Sequence, residues 1–174
     1  MPDTALLIVD VQCGVVAGEL PAARLDSVLE NLNLAIAKAR QHGFPVVFVQ
    51  HEEAGLERDS TGWQLHPALQ HANGDHRIFK RYGDSFCDTP LAELLNGLGV
   101  SKLWLGGCAT DFCVDSTLRN AVSRGFQVTV IRDGHTTLSA FALTAEQVID
   151  HFNAVWDATN ATPQPLLVQP AAAL

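Results

Sequence analysis

The apolar residues of this sequence fall into short continuous runs separated by longer amphipathic segments. Continuous apolar runs of this length are typical of strands that are buried on both faces of a parallel sheet. Together with two weaker segments, they predict strands at Ala5–Val9, Pro45–Val49, His76–Lys80, Leu103–Leu105, Gln127–Ile131 and, at an edge of the sheet, Leu166–Val168.

Between these strands, apolar residues recur three and four positions apart, as on one face of a helix. The spacing predicts helices at about 22–41, 88–98 and 144–159, and one from the Gly106–Gly107 turn to about Arg124. Thr144 and Gln147 are placed to form a capping box. The alternation of strands and helices predicts an α/β fold with a parallel sheet. Residues 1–174 are expected to form one domain, with a loose tail at Pro170–Leu174.

One stretch, Leu103–Thr117, joins an apolar run to a helical pattern through the pair Gly106–Gly107. Thr110 and Asp111 are the predicted caps of this helix, so Cys113 falls in or near its first turn. Free backbone N–H groups and the helix dipole favour an anion there, so we expect this thiol to ionise more easily than a free one. Cys113 is the candidate nucleophile, and the alternative is a cysteine that only packs in the core.

Two further polar residues lie at the carboxyl ends of predicted strands. Asp10 directly follows Ala5–Val9, and Lys80 ends His76–Lys80. Open α/β sheets bind their ligands beyond these ends, so both residues are candidates for chemistry. Taken alone, an aspartate after a strand is as often a loop or cap residue, and a lysine is normally solvated.

Composition limits the classes of partner. The net charge is −8, and the eleven Lys and Arg residues form no basic cluster, which argues against nucleic-acid binding. No apolar run approaches the ~20 residues of a membrane helix, and we expect a cytoplasmic protein without a membrane partner. In that compartment the four cysteines are expected to be free thiols, at Cys13, Cys87, Cys108 and Cys113.

The histidines do not form a metal motif. A metal site usually needs imidazoles at a close fixed spacing together with a carboxylate. Four histidines are instead scattered over predicted loops and strand ends, at His51, His66, His71 and His76. We therefore expect no metal and no cofactor.

Four ordered motifs give the chain a specific resemblance. They are Leu-Leu-Ile-Val-Asp10, Val-Val-Phe-Val-Gln-His51, Phe-Lys80 followed by Ser85-Phe86, and Gly107-Cys-Ala-Thr-Asp-Phe-Cys113 followed by Thr117. The chain resembles the isochorismatase-like cysteine hydrolases, which include nicotinamidases, N-carbamoylsarcosine amidohydrolases and isochorismatases. The resemblance implies a Rossmann-like three-layer α/β/α sandwich around a mostly parallel six-stranded sheet of order 3-2-1-4-5-6.

The resemblance also implies a catalytic triad of Asp10, Lys80 and Cys113, and a cis peptide bond between Cys108 and Ala109. In this reading Cys113 attacks the carbonyl of an amide-type substrate, Asp10 moves the proton and Lys80 supplies positive charge. Backbone N–H groups of the turn, those of Ala109 and Cys113, form an oxyanion hole. A thioester intermediate is then hydrolysed.

Two alternatives remain open. Vinyl-ether-cleaving isochorismatases generally lack the cysteine, so Cys113 favours amide chemistry over that activity. A non-catalytic binding protein on the same fold is the other alternative, although all three triad positions are present. Nicotinamidases carry an Asp-x-His…His metal pattern that the segment Gln50–Glu53 lacks, so nicotinamide is not the expected substrate.

Substrate contacts and assembly are less constrained by the sequence. The irregular segment Ala54–Gly74 is expected to form part of a pocket wall or an oligomer contact. Several residues in or near loops at strand ends are candidates to line the pocket for a small-molecule substrate, and for each ordinary packing is the alternative: Cys13, Trp63, Phe86, Phe112 and His135. By resemblance, the protein is expected to be a homo-oligomer, either a dimer or a tetramer.

Overall fold

The centre of the molecule is a six-stranded sheet of order 3-2-1-4-5-6, with the strands numbered along the chain. The computed structural model describes residues 3–138, 141–160 and 162–174. All five strand pairings of this sheet are parallel. The strands are β1 (Thr4–Val9), β2 (Val46–His51), β3 (His76–Lys80), β4 (Lys102–Cys108), β5 (Gln127–Thr136) and β6 (Leu166–Gln169). The predicted fold class and strand order are confirmed.

Helices cover both faces of the sheet because successive residues of each buried strand point to opposite sides. The α-helices are α1 (Cys13–Val16), α2 (Leu25–Gln41), α3 (Leu91–Gly97), α4 (Asp115–Ser123) and α5 (Ala145–Asp157). On one face Leu6 and Ile8 of β1 pack with α2, and on the other Leu7 and Val9 pack with α3, α4 and Trp156 of α5. None of the helices in the described ranges is long and apolar enough to cross a membrane.

Strand β4 continues through the glycine pair that the sequence assigned to a turn. Gly107 has a φ of 128°, and a Cβ atom there would lie 2.0 Å from the carbonyl oxygen of Val9. Only glycine allows β4 to run this close to the end of β1. The predicted turn at this pair is therefore wrong, and the chain leaves the sheet one residue later, after Cys108.

The tail is packed, whereas the sequence predicted it to be loose. Ala171–Ala173 form a turn of 3₁₀ helix, and Ala171 is fully buried. The amide of Ala171 donates to Asp133 at 2.8 Å, and Lys38 of α2 donates to the carbonyl of Ala172 at 2.6 Å. The apolar tail is held because it covers α2 and its backbone groups find partners.

The helix boundaries follow local signals where such signals exist. Thr144 accepts a hydrogen bond from the amide of Gln147, whose side chain accepts one from the amide of Thr144. The predicted capping box is thus confirmed. The segment Ala54–Gly74 contains no helix and no strand of the sheet, as predicted, and the short helix α1 was not predicted.

Candidate active site

The strand order of the sheet reverses between β1 and β4, which leaves a crevice beyond their carboxyl ends. Asp10 follows β1 with a φ of 52°, a left-handed conformation that turns the chain sharply at the rim. Its amide donates to the carbonyl of Val49 at 2.9 Å, so β2 fixes the backbone of this turn. Cys113 enters the crevice from the segment after β4, and Lys80 reaches it from the last position of β3.

Lys80 joins these residues into one cluster. Its Nζ atom lies 2.6 Å from Asp10 Oδ2 and 3.3 Å from Cys113 Sγ. The side chains of Asp10 and Lys80 are 2% and 0% exposed, so water does not screen the pair. We call Asp10, Lys80 and Cys113 the Asp–Lys–Cys cluster. The structure brings together the three residues that the sequence singled out.

His51 is a fourth residue at this cluster, which the sequence considered only as a metal ligand. Its Nδ1 atom lies 3.1 Å from Lys80 Nζ, and the carbonyl of Tyr82 accepts another hydrogen bond from the same ammonium group at 3.1 Å. Gln12 holds the backbone of His51 on both sides, accepting from its amide at 2.7 Å and donating to its carbonyl at 3.1 Å. His51 therefore helps to fix the position of the Lys80 ammonium group.

Burial dominates the acid–base properties of the cluster. It raises the pKa of Asp10, while the nearby charge of Lys80 opposes this shift. Burial, followed by the Asp10 carboxylate, raises the pKa of Cys113 to about 12, and Lys80 offsets only part of that change. The expectation that the Cys113 thiol ionises easily is wrong, because the cost of desolvating its thiolate outweighs the favourable charge of Lys80.

The charged groups of the cluster also affect one another. Beside one lysine ammonium, the Asp10 carboxylate and the Cys113 thiolate are two anions that disfavour each other. The Asp10 carboxylate therefore makes ionisation of the Cys113 thiol less favourable.

The segment that carries Cys113 is a π-helical turn, Thr110–Val114, which continues directly into α4. The carbonyl of Ala109 accepts hydrogen bonds from the amides of both Phe112 and Val114. The preceding peptide bond, between Cys108 and Ala109, is cis, at the position that the resemblance indicated. Cys108 itself is fully buried, and burial raises the pKa of its thiol well above the usual value.

Thr110 and Asp111 do not cap the helix as predicted. The Thr110 hydroxyl lies 2.9 Å from His135 Nδ1, and Asp111 Oδ1 accepts a hydrogen bond from the Thr137 hydroxyl at 2.6 Å. Ala109 occupies the N-cap position and makes no side-chain cap. Both polar side chains are used to tie the turn to the end of β5.

Two of the predicted substrate contacts belong to the protein interior. Phe86 is 4% exposed, and its ring stacks on Phe126 at 5.9 Å. His135 is 1% exposed, and its second ring nitrogen, Nε2, lies 3.1 Å from Asn153 Oδ1. Neither side chain presents a free group to a substrate.

Of the other three predicted contacts, Phe112 and Cys13 are partly exposed, whereas Trp63 is buried. Phe112 is half exposed beside Cys113, and its ring lies 5.9 Å from that of Phe141. Cys13 is half-buried, with Sγ 3.7 Å from the carbonyl of Leu65. Trp63 is 5% exposed and packs on Phe79. Its indole Nε1–H has no hydrogen-bond partner within the described residues.

The loop that carries Trp63 is anchored by two buried glutamines. Gln12 and Gln50 both donate from Nε2 to the carbonyl of Trp63, each at 2.9 Å. Arg77 in turn donates to Gln50 Oε1 at 2.9 Å. The loop is therefore held in place next to β1 and β2, and its role as a pocket wall or an oligomer contact stays a prediction.

No three His, Cys, Asp or Glu side chains converge as metal ligands in the ranges that the structure describes. His51 Nε2 and Glu53 Oε2 lie 3.6 Å apart. Two groups do not make a metal site of ordinary ligand number. The expectation that the protein uses no metal stays a prediction.

Comparison with known proteins identifies relatives of the whole α/β unit. The model of the isochorismatase domain matches residues 4–159. A solved structure described as an isochorismatase family protein has a TM-score of 0.89 and 36% identity, and the match covers 97% of this chain and 98% of that one. This likeness extends over nearly the entire length of both molecules.

Two relatives have names that state an activity. A streptothricin hydrolase of Streptomyces noursei is 35% identical over 139 residues, which cover 78% of this chain and 55% of the relative. The chain thus spans about half the length of that protein. Ureidoacrylate amidohydrolase RutB of Klebsiella pneumoniae is 28% identical over 182 residues, which cover 82% of this chain and 77% of the relative. With the family model and the structural match, these likenesses show that the chain belongs to the isochorismatase family.

Proposed function

We propose that this protein is a cysteine-dependent hydrolase that cleaves an amide-type C–N bond of a small molecule. The observation that carries the proposal is the Asp–Lys–Cys cluster, in which a half-buried thiol lies 3.3 Å from a buried lysine that is itself paired with a buried aspartate. Groups of this kind with strongly shifted pKa values concentrate at functional sites.

The first step is the transfer of the Cys113 proton to Asp10. The raised pKa of Asp10 makes its carboxylate a better acceptor for the proton of the thiol. The transfer leaves the net charge of the cluster unchanged, and the positive charge of Lys80 favours the anion on either neighbour. The thiolate then forms a C–S bond to the substrate carbonyl carbon. The backbone N–H groups of Ala109 and Cys113 donate hydrogen bonds to the carbonyl oxygen and stabilise the negative charge that develops on it.

The second step releases the nitrogen. Asp10 returns its proton to the leaving nitrogen as the C–N bond breaks, which leaves an acyl thioester on Cys113. Water then attacks the thioester and gives one proton to Asp10. The C–S bond breaks, Cys113 recovers the proton from Asp10, and the acid product leaves. Lys80 stays protonated throughout and stabilises whichever of its two neighbours is the anion.

The relatives support this reaction class. One is named a streptothricin hydrolase and another a ureidoacrylate amidohydrolase, and the second name states amide chemistry directly. Because the chain spans only about half of the streptothricin hydrolase, the substrate of that protein is a starting point for screening and not an assignment.

The test is amine or ammonia release from streptothricin, ureidoacrylate and a set of N-carbamoyl amino acids, measured with wild type and Cys113→Ala. We expect wild type to hydrolyse at least one of them and the variant to lose this activity. Release of pyruvate from isochorismate by both proteins would instead support the vinyl-ether alternative. A wild type that hydrolyses none of these compounds and whose Cys113 resists alkylation would support the binding-protein alternative.

The remaining expectations are part of the same proposal. A homo-oligomer, the absence of a metal and of nucleic-acid or membrane partners, a cytoplasmic location and a single domain stay predictions. Sedimentation of the purified protein tests the first, and metal analysis with activity after chelation tests the second.

A further inference from the structure

A buried chain of hydrogen bonds connects α5 with the turn that carries Cys113. Asn153 Nδ2 donates to the carbonyl of Arg132 at 3.1 Å, so Asn153 Oδ1 faces His135 Nε2, 3.1 Å away. His135 Nδ1 lies 2.9 Å from the Thr110 hydroxyl. We call Thr110, His135 and Asn153 the histidine relay. All three of its side chains are buried.

The direction of each hydrogen bond in the relay follows from its first member. Because Asn153 uses its NH₂ group on a carbonyl, its oxygen accepts from His135 Nε2–H. His135 Nδ1 is then an acceptor, and the Thr110 hydroxyl donates to it. Burial lowers the pKa of His135 to about 4, so the ring is neutral at physiological pH and this pattern holds. The ring also packs edge-on against Trp156, at 5.0 Å between centroids.

Strand β5 reaches Thr110 only because it bulges. Leu105 of β4 pairs with Val130, whereas Gly107 pairs with His135, so β5 uses extra residues over this interval. The bulge places His135 next to the end of β4, where the chain turns toward Cys113. Two residues further along, Thr137 holds Asp111. Residues at and just after the end of β5 therefore form hydrogen bonds with two successive residues of the π-helical turn.

Thr110 is the first residue of that turn, and Cys113 is the fourth. A π-helical turn has looser backbone geometry than an α-helix and occurs mostly as a short local feature. Side-chain hydrogen bonds join its first two residues to His135 and Thr137. A shift of about 1 Å at a nucleophile is enough to cost ~10²-fold in rate.

We propose that His135 is a positioning residue for the nucleophile, which acts through the Thr110 hydroxyl to hold the π-helical turn so that Cys113 Sγ stays beside Lys80 and Asp10. His135 touches neither substrate nor the reacting atoms in this role. The inference rests on the proposed function, because it assigns a purpose to the geometry of a reactive thiol.

A matched pair of substitutions separates positioning from simple packing. His135→Asn retains an acceptor near the place of Nδ1 and loses the bond to Asn153. His135→Gln reaches toward Asn153 and loses the bond to Thr110. Both are uncharged and leave similar space beside Trp156. His151→Gln, at an exposed position of α5, is the control for a histidine replacement. Thr110→Ser and Thr110→Val form a second pair, with and without the hydroxyl donor.

The readouts are the rate of iodoacetamide alkylation at Cys113, resolved by peptide mass spectrometry, and the thermal unfolding midpoint. We expect His135→Gln and Thr110→Val to slow alkylation of Cys113 at least tenfold. His135→Asn, Thr110→Ser and His151→Gln should stay within about threefold of wild type. The two His135 variants should have similar unfolding midpoints.

Equal alkylation rates in the two members of each pair would overturn the inference, since a role in packing alone does not distinguish them. If the His135 variants do not fold, the Thr110 pair decides by the same criterion. Failure of the proposed function has a different signature, because Cys113 would then be unreactive in wild type itself.

Discussion

The molecule contains two buried polar clusters on the same rim of the sheet, and they differ in charge. The Asp–Lys–Cys cluster holds two ionisable groups with raised pKa values around a buried ammonium group. The histidine relay is neutral, and each of its side-chain functional groups has a defined protein partner. All residues of both clusters are buried except Cys113, which is half-buried.

This difference separates two uses of burial. Where charges are buried with few partners, desolvation moves the pKa values and makes proton transfer between neighbours accessible. Where neutral groups are buried with every hydrogen bond made, the same low dielectric strengthens the bonds and fixes a conformation. The first cluster is therefore suited to chemistry, and the second to holding that chemistry in place.

The largest effect is expected from removing the nucleophile. Cys113→Ala should lower turnover of a confirmed substrate by at least about 10³-fold, because the covalent step is lost. Its unfolding midpoint should stay close to that of wild type, since Lys80 loses its contact with the thiol but keeps those with Asp10, His51 and the carbonyl of Tyr82. Steady-state kinetics and thermal unfolding of the same preparation check this prediction. Retention of more than a tenth of the activity would contradict it.

The next effect concerns the buried ion pair. Asp10→Asn and Lys80→Met each leave one member of the pair without its partner, which should cost about 3–5 kcal/mol of unfolding free energy. The double variant should recover most of this loss and remain inactive. Asparagine tolerates the left-handed conformation of position 10, so backbone strain does not account for the first result. Denaturant unfolding of wild type, the two single variants and the double variant measures these free energies. If the double variant loses as much as the two single variants together, the prediction is contradicted.

A smaller effect should distinguish the relay by its pH dependence. The pKa of His135 is lowered from 6.5 to about 4, so the neutral ring contributes fully to the free energy of unfolding above about pH 6.5. That contribution is lost as the pH falls toward 4, because the unfolded chain takes up the proton first. The loss is on the order of 3 kcal/mol. Denaturant unfolding between pH 4 and 7 should show a flatter curve for His135→Asn than for wild type.

At each pH, the difference in unfolding free energy between wild type and His135→Asn cancels the opposing contribution of Asp10, because both proteins contain that residue. The pKa of Asp10 is raised, so that group favours the folded state as the pH falls. His151→Gln should retain the wild-type slope. An unchanged slope in His135→Asn would show that the ring is not held neutral in the folded protein.

The smallest effect is expected at an exposed ion pair of the same chemistry. Lys102 Nζ lies 3.0 Å from Asp3 Oδ2, with about half of each side chain exposed. Lys102→Met should change neither turnover nor the unfolding midpoint measurably, because solvent screens such pairs. The difference in unfolding free energy between Lys102→Met and Lys80→Met shows how much of the loss in Lys80→Met arises from burial of the ion pair. A loss of stability as large as that of Lys80→Met would contradict the comparison.

The features that the sequence predicted correctly depend on local patterns. Apolar runs located the strands, Thr144 and Gln147 marked a helix start, and strand ends pointed to Asp10 and Lys80. Those signals depend on residues that are close in sequence. The family resemblance supplied the sheet order and the grouping of Asp10 with Lys80 and Cys113, which local patterns do not contain.

The features that the sequence missed depend on contacts between distant segments. His51 contacts Lys80 on the neighbouring strand, and His135 reaches Thr110 only because β5 bulges. The behaviour of the Cys113 thiol was predicted from the helix dipole, whereas burial determines it. The apolar tail gave no periodic signal and is ordered by its contacts with α2.

The most direct test compares the alkylation rates of all four cysteines in the native protein at neutral pH, using iodoacetamide and peptide mass spectrometry. A thiol with a pKa of about 12 should by itself be nearly inert, whereas Cys87 is exposed and open to the reagent. If Cys113 passes its proton to Asp10, it should react faster than Cys87, and Asp10→Asn should abolish that advantage. Faster reaction of Cys87, with Cys113 unlabelled in wild type, would contradict the account.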